Sequence, residues 1–252
     1  MIFAPTDLKV VSANLKAIFP EKPEAEIRNL AKQSFRNFAK YLVDFFRFAK
    51  IDTAYIEKNI RIENIENFNQ ALDKNKGVIV LTAHLGNWEL GGVIVAVLGY
   101  PFWAVALPHK DKKVDEFFNF QRESKGVKVI PLGKAVRTSI NLLKENKMVA
   151  LVGDRDFSAK GIVTDFFGKP TFFPEGPAAF ALKTGAIIVP GFMVRNPDDT
   201  FTLRIEKPLE VKASADREKD ITDIIAQYKL IFEGYIRNYP DQWYMFRKFW
   251  IS

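Results

Sequence analysis

The sequence has no cysteine and only two histidines among its 252 residues. The first absence excludes a disulfide scaffold, a zinc site built on thiolates and any cysteine nucleophile. The second excludes a histidine-rich metal site, since a two-histidine site needs both rings to converge with carboxylates; no metal is expected. Long apolar runs are missing too. The longest candidate, Val93 to Leu107, is interrupted by Gly99 and Pro101, short of the roughly 18 residues that a spanning helix needs. The N-terminus lacks the basic patch, apolar run and small-residue cleavage site of a secretory signal. The expectation is a chain that is soluble or lies on a membrane and does not cross it. No Gly-x-Ser-x-Gly elbow occurs either, which argues against a serine acyl-enzyme.

Charge of one sign is only mildly in excess, 37 Lys and Arg against 30 Asp and Glu. That excess favours an anionic partner such as phospholipid headgroups, an acidic carrier protein or nucleic acid. Nucleic acid is disfavoured, because the basic residues are spread along the chain and no familiar recognition motif appears.

A hydrophobic content of 48% is enough for one substantial core. We read residues 1–252 as a single domain: a helical N-terminal part over 1–60, an α/β core over 77–211, and a C-terminal helix with a basic aromatic tail over 212–252. Residues 24–50 carry Phe35, Phe38, Leu42, Phe45, Phe46 and Ala49 at a 3.6-residue period, which predicts an amphipathic helix. Lys32, Arg36, Lys40, Arg47 and Lys50 lie on its polar side, so the Phe stripe serves either the core or a lipid surface. From residue 77 short β-branched runs alternate with helical stretches. Val78 to Leu81, Phe102 to Leu107, Val127 to Pro131, Met148 to Val152 and Ile187 to Val194 read as buried strands. Val114 to Lys125, Ala135 to Lys147 and Asp220 to Asn238 read as helices, and Phe201 to Val211 as a further strand or hairpin arm. The predicted class is α/β, a central largely parallel or mixed sheet flanked by helices. In such sheets ligands gather where strands end and helices begin.

Directly after the first core strand come Thr82-Ala83-His84-Leu85-Gly86-Asn87-Trp88-Glu89. A histidine there is held on a rigid element facing a cleft, and an imidazole titrates close enough to neutrality to take a proton from an alcohol. Glu89, five residues on, is the carboxylate expected to fix its tautomer and stabilise its protonated form. By position alone His84 reads equally well as a satisfied structural histidine. His109, in a run of lysines, reads as a solvated loop residue. A second block, residues 153–190, places Asp154, Arg155 and Asp156 after another strand and Glu175-Gly176 before a helical run. A carboxylate at a helix start caps it or binds sugar or glycerol hydroxyls. The closing Trp243-Tyr244-Met245-Phe246-Arg247-Lys248-Phe249-Trp250 suits either a bilayer interface or docking on the domain.

At these residues the sequence resembles the bacterial lipid A biosynthesis (lauroyl/myristoyl) acyltransferases and their relatives that acylate phosphatidylinositol mannosides, within the wider lysophospholipid acyltransferase superfamily. His84-Leu85-Gly86-Asn87-Trp88-Glu89 is similar to the superfamily's first motif, a histidine followed after four residues by an acid. Arg122, in Phe120-Gln121-Arg122-Glu123, is similar to the second-motif arginine, with a surface helix arginine as the alternative. Asp154-Arg155-Asp156 with Val163 to Gly168 resembles the Asp-rich stretch and its Val-Asp-Phe-Phe-Gly signature. Phe173-Pro174-Glu175-Gly176 looks like the third motif and Ile188-Val189-Pro190 like the fourth. Tyr239 to Trp243 with Arg247 is similar to the C-terminal pattern. Pro177 stands where the glycerolipid branch has threonine, so phosphate recognition by a hydroxyl is not carried over. Many members begin with a transmembrane helix, which this sequence does not show.

The resemblance implies a glycerolipid-acyltransferase-like fold and an O-acyltransferase with His84 and Glu89 catalytic. Asn87, Arg122, Asp154, Arg155, Asp156, Glu175 and Gly176 are then substrate-binding. The donor is an acyl thioester on acyl carrier protein or coenzyme A, with no resident cofactor. The acceptor is a membrane glycolipid or phospholipid, met peripherally on the cytoplasmic face of the inner membrane. The alternatives are an ester or thioester hydrolase and a lipid-binding protein without turnover.

Overall fold

The computed structural model describes residues 5–156 and 161–251. Helix α1 (Pro5–Ile18) is followed by α2 (Glu24–Phe45), which starts after Pro23 and carries Glu24 and Glu26 in its first turn, where the helix dipole favours negative charge. The predicted helix over 24–50 ends early, at Phe45. Phe48 and Ile51 turn inward to burial, Phe48 through Lys50 form a 3-10 turn, and the Asp52 carboxylate accepts a hydrogen bond from the Tyr55 amide to cap the next helix. These two anchors outweigh the continuing 3.6-residue pattern.

Then come α3 (Thr53–Asn59), β1 (Ile60–Glu63), α4 (Glu66–Leu72), β2 (Val78–Thr82), α5 (Trp88–Val97), β3 (Phe102–Ala106), α6 (Lys112–Glu123) and β4 (Lys128–Pro131). They are followed by α7 (Ala135–Lys144), β5 (Met148–Val152), β6 (Ile162–Phe166), β7 (Lys169–Phe173), α8 (Gly176–Thr184), β8 (Ile187–Arg195), β9 (Phe201–Ile205) and α9 (Arg217–Asn238). Among the described residues the main sheet has seven strands in the order β1-β9-β8-β2-β5-β3-β4. Its strands run parallel except across the β8–β9 pair, where the direction reverses. The predicted α/β class and largely parallel sheet are thus observed. The stretch 201–211 is a strand only as far as Ile205.

Central strand β2 is buried at all five positions, as a parallel strand covered on both faces must be. Ile79 and Leu81 pack into the hydrophobic cluster on one face, and Val78 and Val80 into that on the other, following the two-residue side-chain period. The sequence reading missed the β6–β7 hairpin, because its turn residues are Phe167 and Gly168, a pair that gives a weak turn signal. Both have positive φ, 53° and 77°, the twist that a two-residue hairpin loop requires. The predicted signature Val163 to Gly168 is therefore one arm and the turn of this hairpin.

The C-terminal segment is core. Trp243, Tyr244 and Met245 are buried, Thr171 donates to the Phe249 carbonyl, and the Ile251 amide donates to the Pro170 carbonyl. The Phe stripe of α2 packs in the same way: Phe35 stacks on Phe246 with centroids 5.0 Å apart, and Phe38 meets Phe246 edge-on at 4.9 Å. The C-terminal segment and Phe35, Phe38 and Phe45 of the stripe thus pack on the domain, while Phe46 and Ala49 at its end stay exposed. Among the described residues no helix is long and apolar enough to cross a membrane.

Candidate active site

Strand β2 ends at Thr82, and the chain turns through Ala83 to Asn87 before α5 begins. Backbone bonds lock this turn from two sides. The Asn87 amide donates to the Met193 carbonyl at 2.8 Å, the Gly86 amide to the Gln242 carbonyl at 2.8 Å, and the Tyr244 amide to the His84 carbonyl at 2.9 Å. Gly86 has φ of +64°, and a β-carbon there would stand 2.0 Å from the Met193 carbonyl oxygen, so only glycine fits. Asn87 caps α5 by accepting from the Leu90 amide at 3.1 Å, and its Nδ2 donates to Asp44 at 3.0 Å. Asp44 in turn pairs with Arg195 at the end of β8. Both polar atoms of the Asn87 side chain are thus engaged in the scaffold, and Asn87 does not line the cavity described below.

His84 is held by Asp154. Its Nδ1 lies 2.6 Å from Asp154 Oδ1, and its amide donates to Oδ2 at 3.0 Å. The Trp243 indole N–H donates to that same Oδ2 at 3.0 Å. The reason lies in the sheet: β2 and β5 are parallel neighbours with Thr82 opposite Val152, so two residues beyond this register His84 and Asp154 emerge side by side. Asp154 is completely buried, which by itself raises a carboxyl's pKa. Electrostatic attraction to the His84 ring and its hydrogen bond, the neighbouring Arg155 and the Trp243 N–H outweigh that and hold it at about 2. The carboxylate stays ionised and fixes the ring, leaving Nε2 for the cavity.

Glu89, expected to do this from spacing, does something else. It sits in the first turn of α5 and meets Arg122 of α6 in a two-pronged ion pair, Nε to Oε2 at 2.8 Å and a terminal nitrogen to Oε1 at 2.5 Å. Burial works against the charge of Arg122, but the Glu89 carboxylate more than offsets it and raises the guanidinium's pKa. Arg122 also lies over the rings of Phe45 and Phe118. It is 7% exposed, which sets aside the surface-arginine alternative.

His84, Glu89 and Arg122 line one cavity of about 760 Å³, within the size range of small-molecule sites. Its walls are largely apolar: Tyr41, Trp88, Leu151, Phe180 and Tyr244 contribute, and the Trp88 ring meets His84 edge-on at 5.2 Å. Arg155, Asp156 and Gly176 line it as well. Arg155 donates to the Tyr244 carbonyl, while its buried Nε has no hydrogen-bond partner among the described residues. Asp156 accepts from the Gly161 amide. Glu175 occupies the N-cap position of α8 without a side-chain capping bond and is not among the cavity walls, where its neighbours Pro174 and Gly176 stand. His109 is exposed, as expected, yet it lies at the cavity mouth with its ring 4.3 Å from that of Phe118. Among the described residues no cluster of His, Asp and Glu could hold a metal ion.

Sequence reasoning missed Tyr41, Trp88 and Tyr244 as walls and the Asp44–Arg195 brace. Only Trp88 carried a signal, through its place inside the His84 motif. A constellation of this kind, a histidine fixed by an ionised acid and opening on an apolar cavity, can activate a hydroxyl beside a long aliphatic chain.

The sequence matches the family described as bacterial lipid A biosynthesis acyltransferase over residues 3–252. It is 30% identical to the phosphatidylinositol mannoside acyltransferase of Mycolicibacterium smegmatis over 92% of this chain and 76% of that one. It is 30% identical to the protein of the same name from Mycobacterium tuberculosis over 70% of this chain and 58% of that one. The lipid A biosynthesis palmitoleoyltransferase of Escherichia coli is 24% identical over 75% of this chain and 62% of its own length. By this match along nearly its whole length, the chain belongs to the bacterial lipid A biosynthesis acyltransferase family and is an O-acyltransferase.

Proposed function

We propose that the protein transfers a fatty acyl group from a thioester, carried on acyl carrier protein or coenzyme A, to a hydroxyl of a membrane glycolipid, with His84 as general base. The observation that carries this is the 2.6 Å contact between His84 Nδ1 and the buried Asp154 carboxylate at the wall of the apolar cavity. With Nδ1–H donated to Asp154, Nε2 takes the proton of the acceptor hydroxyl as its oxygen attacks the thioester carbonyl carbon. The tetrahedral oxyanion collapses, the carbon–sulfur bond breaks, and the thiolate leaves with the proton returned from Nε2. Arg155, adjacent in the chain to Asp154 and lining the same cavity, offsets the oxyanion's charge. The apolar walls hold the acyl chain, each buried methylene contributing about 0.8 kcal/mol. Asp154 takes the orienting role expected of Glu89, and the Glu89–Arg122 pair shapes the wall facing the polar part of donor or acceptor. The mannosylated acceptors named for the relatives make a glycosylated phospholipid the first acceptor to try. Since both donor types are cytoplasmic, the site of action is the cytoplasmic face of the plasma membrane.

The test is incubation of purified protein with labelled acyl thioesters and a total lipid extract, with mass spectrometry of the products. An acylated glycolipid is expected, and His84→Ala should lower its formation by at least about a hundredfold in protein that stays folded at the assay temperature, with a lowered melting temperature because the buried Asp154 carboxylate loses its partner. Persistent transfer by this variant removes His84 from the mechanism. Free fatty acid as the main product, with or without acceptor, establishes a hydrolase.

A further inference from the structure

The cavity opens onto a face rimmed by apolar side chains that the fold leaves exposed. Leu107 and Leu132 follow neighbouring parallel strands β3 and β4, where Ala106 stands opposite Pro131, so they emerge together at the sheet's carboxyl edge. Both line the cavity mouth, as does Val136 in the first turn of α7, which is 64% exposed. On the α6 side, Phe117 meets Phe46 of the α2 end with ring centroids 5.6 Å apart, and Phe120 is 58% exposed one turn further along α6. Helix α6 turns Gln121 and Arg122 inward and presents Val114, Phe117 and Phe120 outward. That is an amphipathic helix whose apolar stripe is wider than the core uses.

Basic residues flank this rim. Arg47 and Lys50 follow Phe46, Lys110, Lys112 and Lys113 precede the α6 stripe, and Lys134 and Arg137 bracket Val136, all exposed. Asp111, Asp115 and Glu116 lie among them, and each is engaged locally: Asp111 caps α6, Asp115 accepts from the His109 amide, and Glu116 pairs with Lys112. Clustered exposed aromatics inside a basic fringe complement an anionic lipid surface. The geometry points to this face as the surface that docks on an anionic phospholipid bilayer, Phe46, Phe117 and Phe120 entering the headgroup region and the cavity mouth sealed against lipid. An acyl chain then passes between bilayer and cavity past Leu107, Leu132 and Val136 without crossing water. This assignment rests on the acyltransferase reading for what the cavity holds, while the docking itself is measured without turnover. The apolar rim favours lipid over an acidic carrier protein, which the basic fringe alone would also fit.

The experiment is co-sedimentation of the full chain with vesicles of phosphatidylcholine alone and of phosphatidylcholine with phosphatidylglycerol. The proteins are wild type, Phe117→Asp/Phe120→Asp, and Lys134→Glu/Arg137→Glu. Wild type should partition to the anionic vesicles. Each double variant should lower that partition at least about tenfold, with unfolding curves unchanged because the replaced side chains are exposed. Absence of wild-type binding, or equal binding by Phe117→Asp/Phe120→Asp, overturns the assignment. So does binding of an acyl carrier protein that falls in the Lys134→Glu/Arg137→Glu variant while its vesicle partition holds, which makes the fringe a protein-docking site. His84→Ala serves as the control that separates the two readings: its vesicle binding should equal wild type whatever becomes of its turnover.

Discussion

Asp154 stands in a position that would ordinarily neutralise a carboxyl, completely out of water, yet its partners hold it ionised at about 2, below the ordinary 3.8. The unfolded chain therefore binds the proton more readily. The resulting stabilisation, about 2 kcal/mol, is complete above pH 4 and is lost as pH falls from 4 toward 2. Asp154→Asn keeps the shape and discards the charge. We expect its stability to be flatter than wild type across that window in urea titrations at stepped pH, and its kcat to fall by at least about a hundredfold because the imidazole loses the carboxylate that fixes its tautomer. Activity near wild type in this variant would return the orienting role to another acid. Glu89 was the acid legible from the motif, and it missed the ring because side-chain direction depends on the helix that carries it. From the first turn of α5 it reaches α6, while a residue 70 positions downstream of His84 in sequence reaches the imidazole.

At the scale of elements, the Glu89–Arg122 pair ties α5 to α6 across the cavity wall, with side chains 16% and 9% exposed. Removing one partner strands the other's charge in a site that excludes water, which costs about 3 kcal/mol for a pair buried this deeply. Glu89→Ala and Arg122→Ala are each expected to lose stability of that order in denaturant titrations, and the double variant to lose clearly less than the two combined. Strict additivity would show that the contact carries no coupling. The strands at the site were legible where parallel burial writes continuous apolar runs: Met148–Val152 was predicted to the residue, and Val78 to Leu81 fell one residue short of the observed end. Strand β1 and the β6–β7 hairpin were not. Ile60–Glu63 alternates Ile with charged residues beside a short helix, and the hairpin turns on Phe167, a residue that sequence patterns do not mark for positive φ.

For the molecule as a whole, the C-terminal segment is a structural part of the site. Trp243 is 1% exposed, donates to Asp154 and forms an isolated bridge with Leu85, and the following residue's amide holds the His84 carbonyl. Deleting residues 243–252 removes a buried tryptophan and its packed neighbours, a loss exceeding about 5 kcal/mol, comparable to the whole stability of many domains. We expect the truncated chain to lack a cooperative thermal transition by near-ultraviolet circular dichroism. A stable truncated fold that only binds vesicles less well would instead identify the segment as a membrane anchor.

The amino-acid sequence alone determined the class of fold, the strand that presents His84, and the motif that places the chain in its family, because local periodicity, glycine at a strained turn and residues clustered along the chain are all short-range properties. It also named the charged residues of the cavity wall, Glu89, Arg122, Arg155 and Asp156, but not the tyrosines beside them. Which acid meets the imidazole, which aromatics face water and which close the core were decided only by the tertiary structure. Strand register brings Asp154 to His84, and helix packing hides the phenylalanines of α2 and Trp243 of the C-terminus while leaving Phe117 and Phe120 of α6 outside. Pairings between distant residues and the burial of one apolar side chain rather than another depend on the assembled three-dimensional contacts.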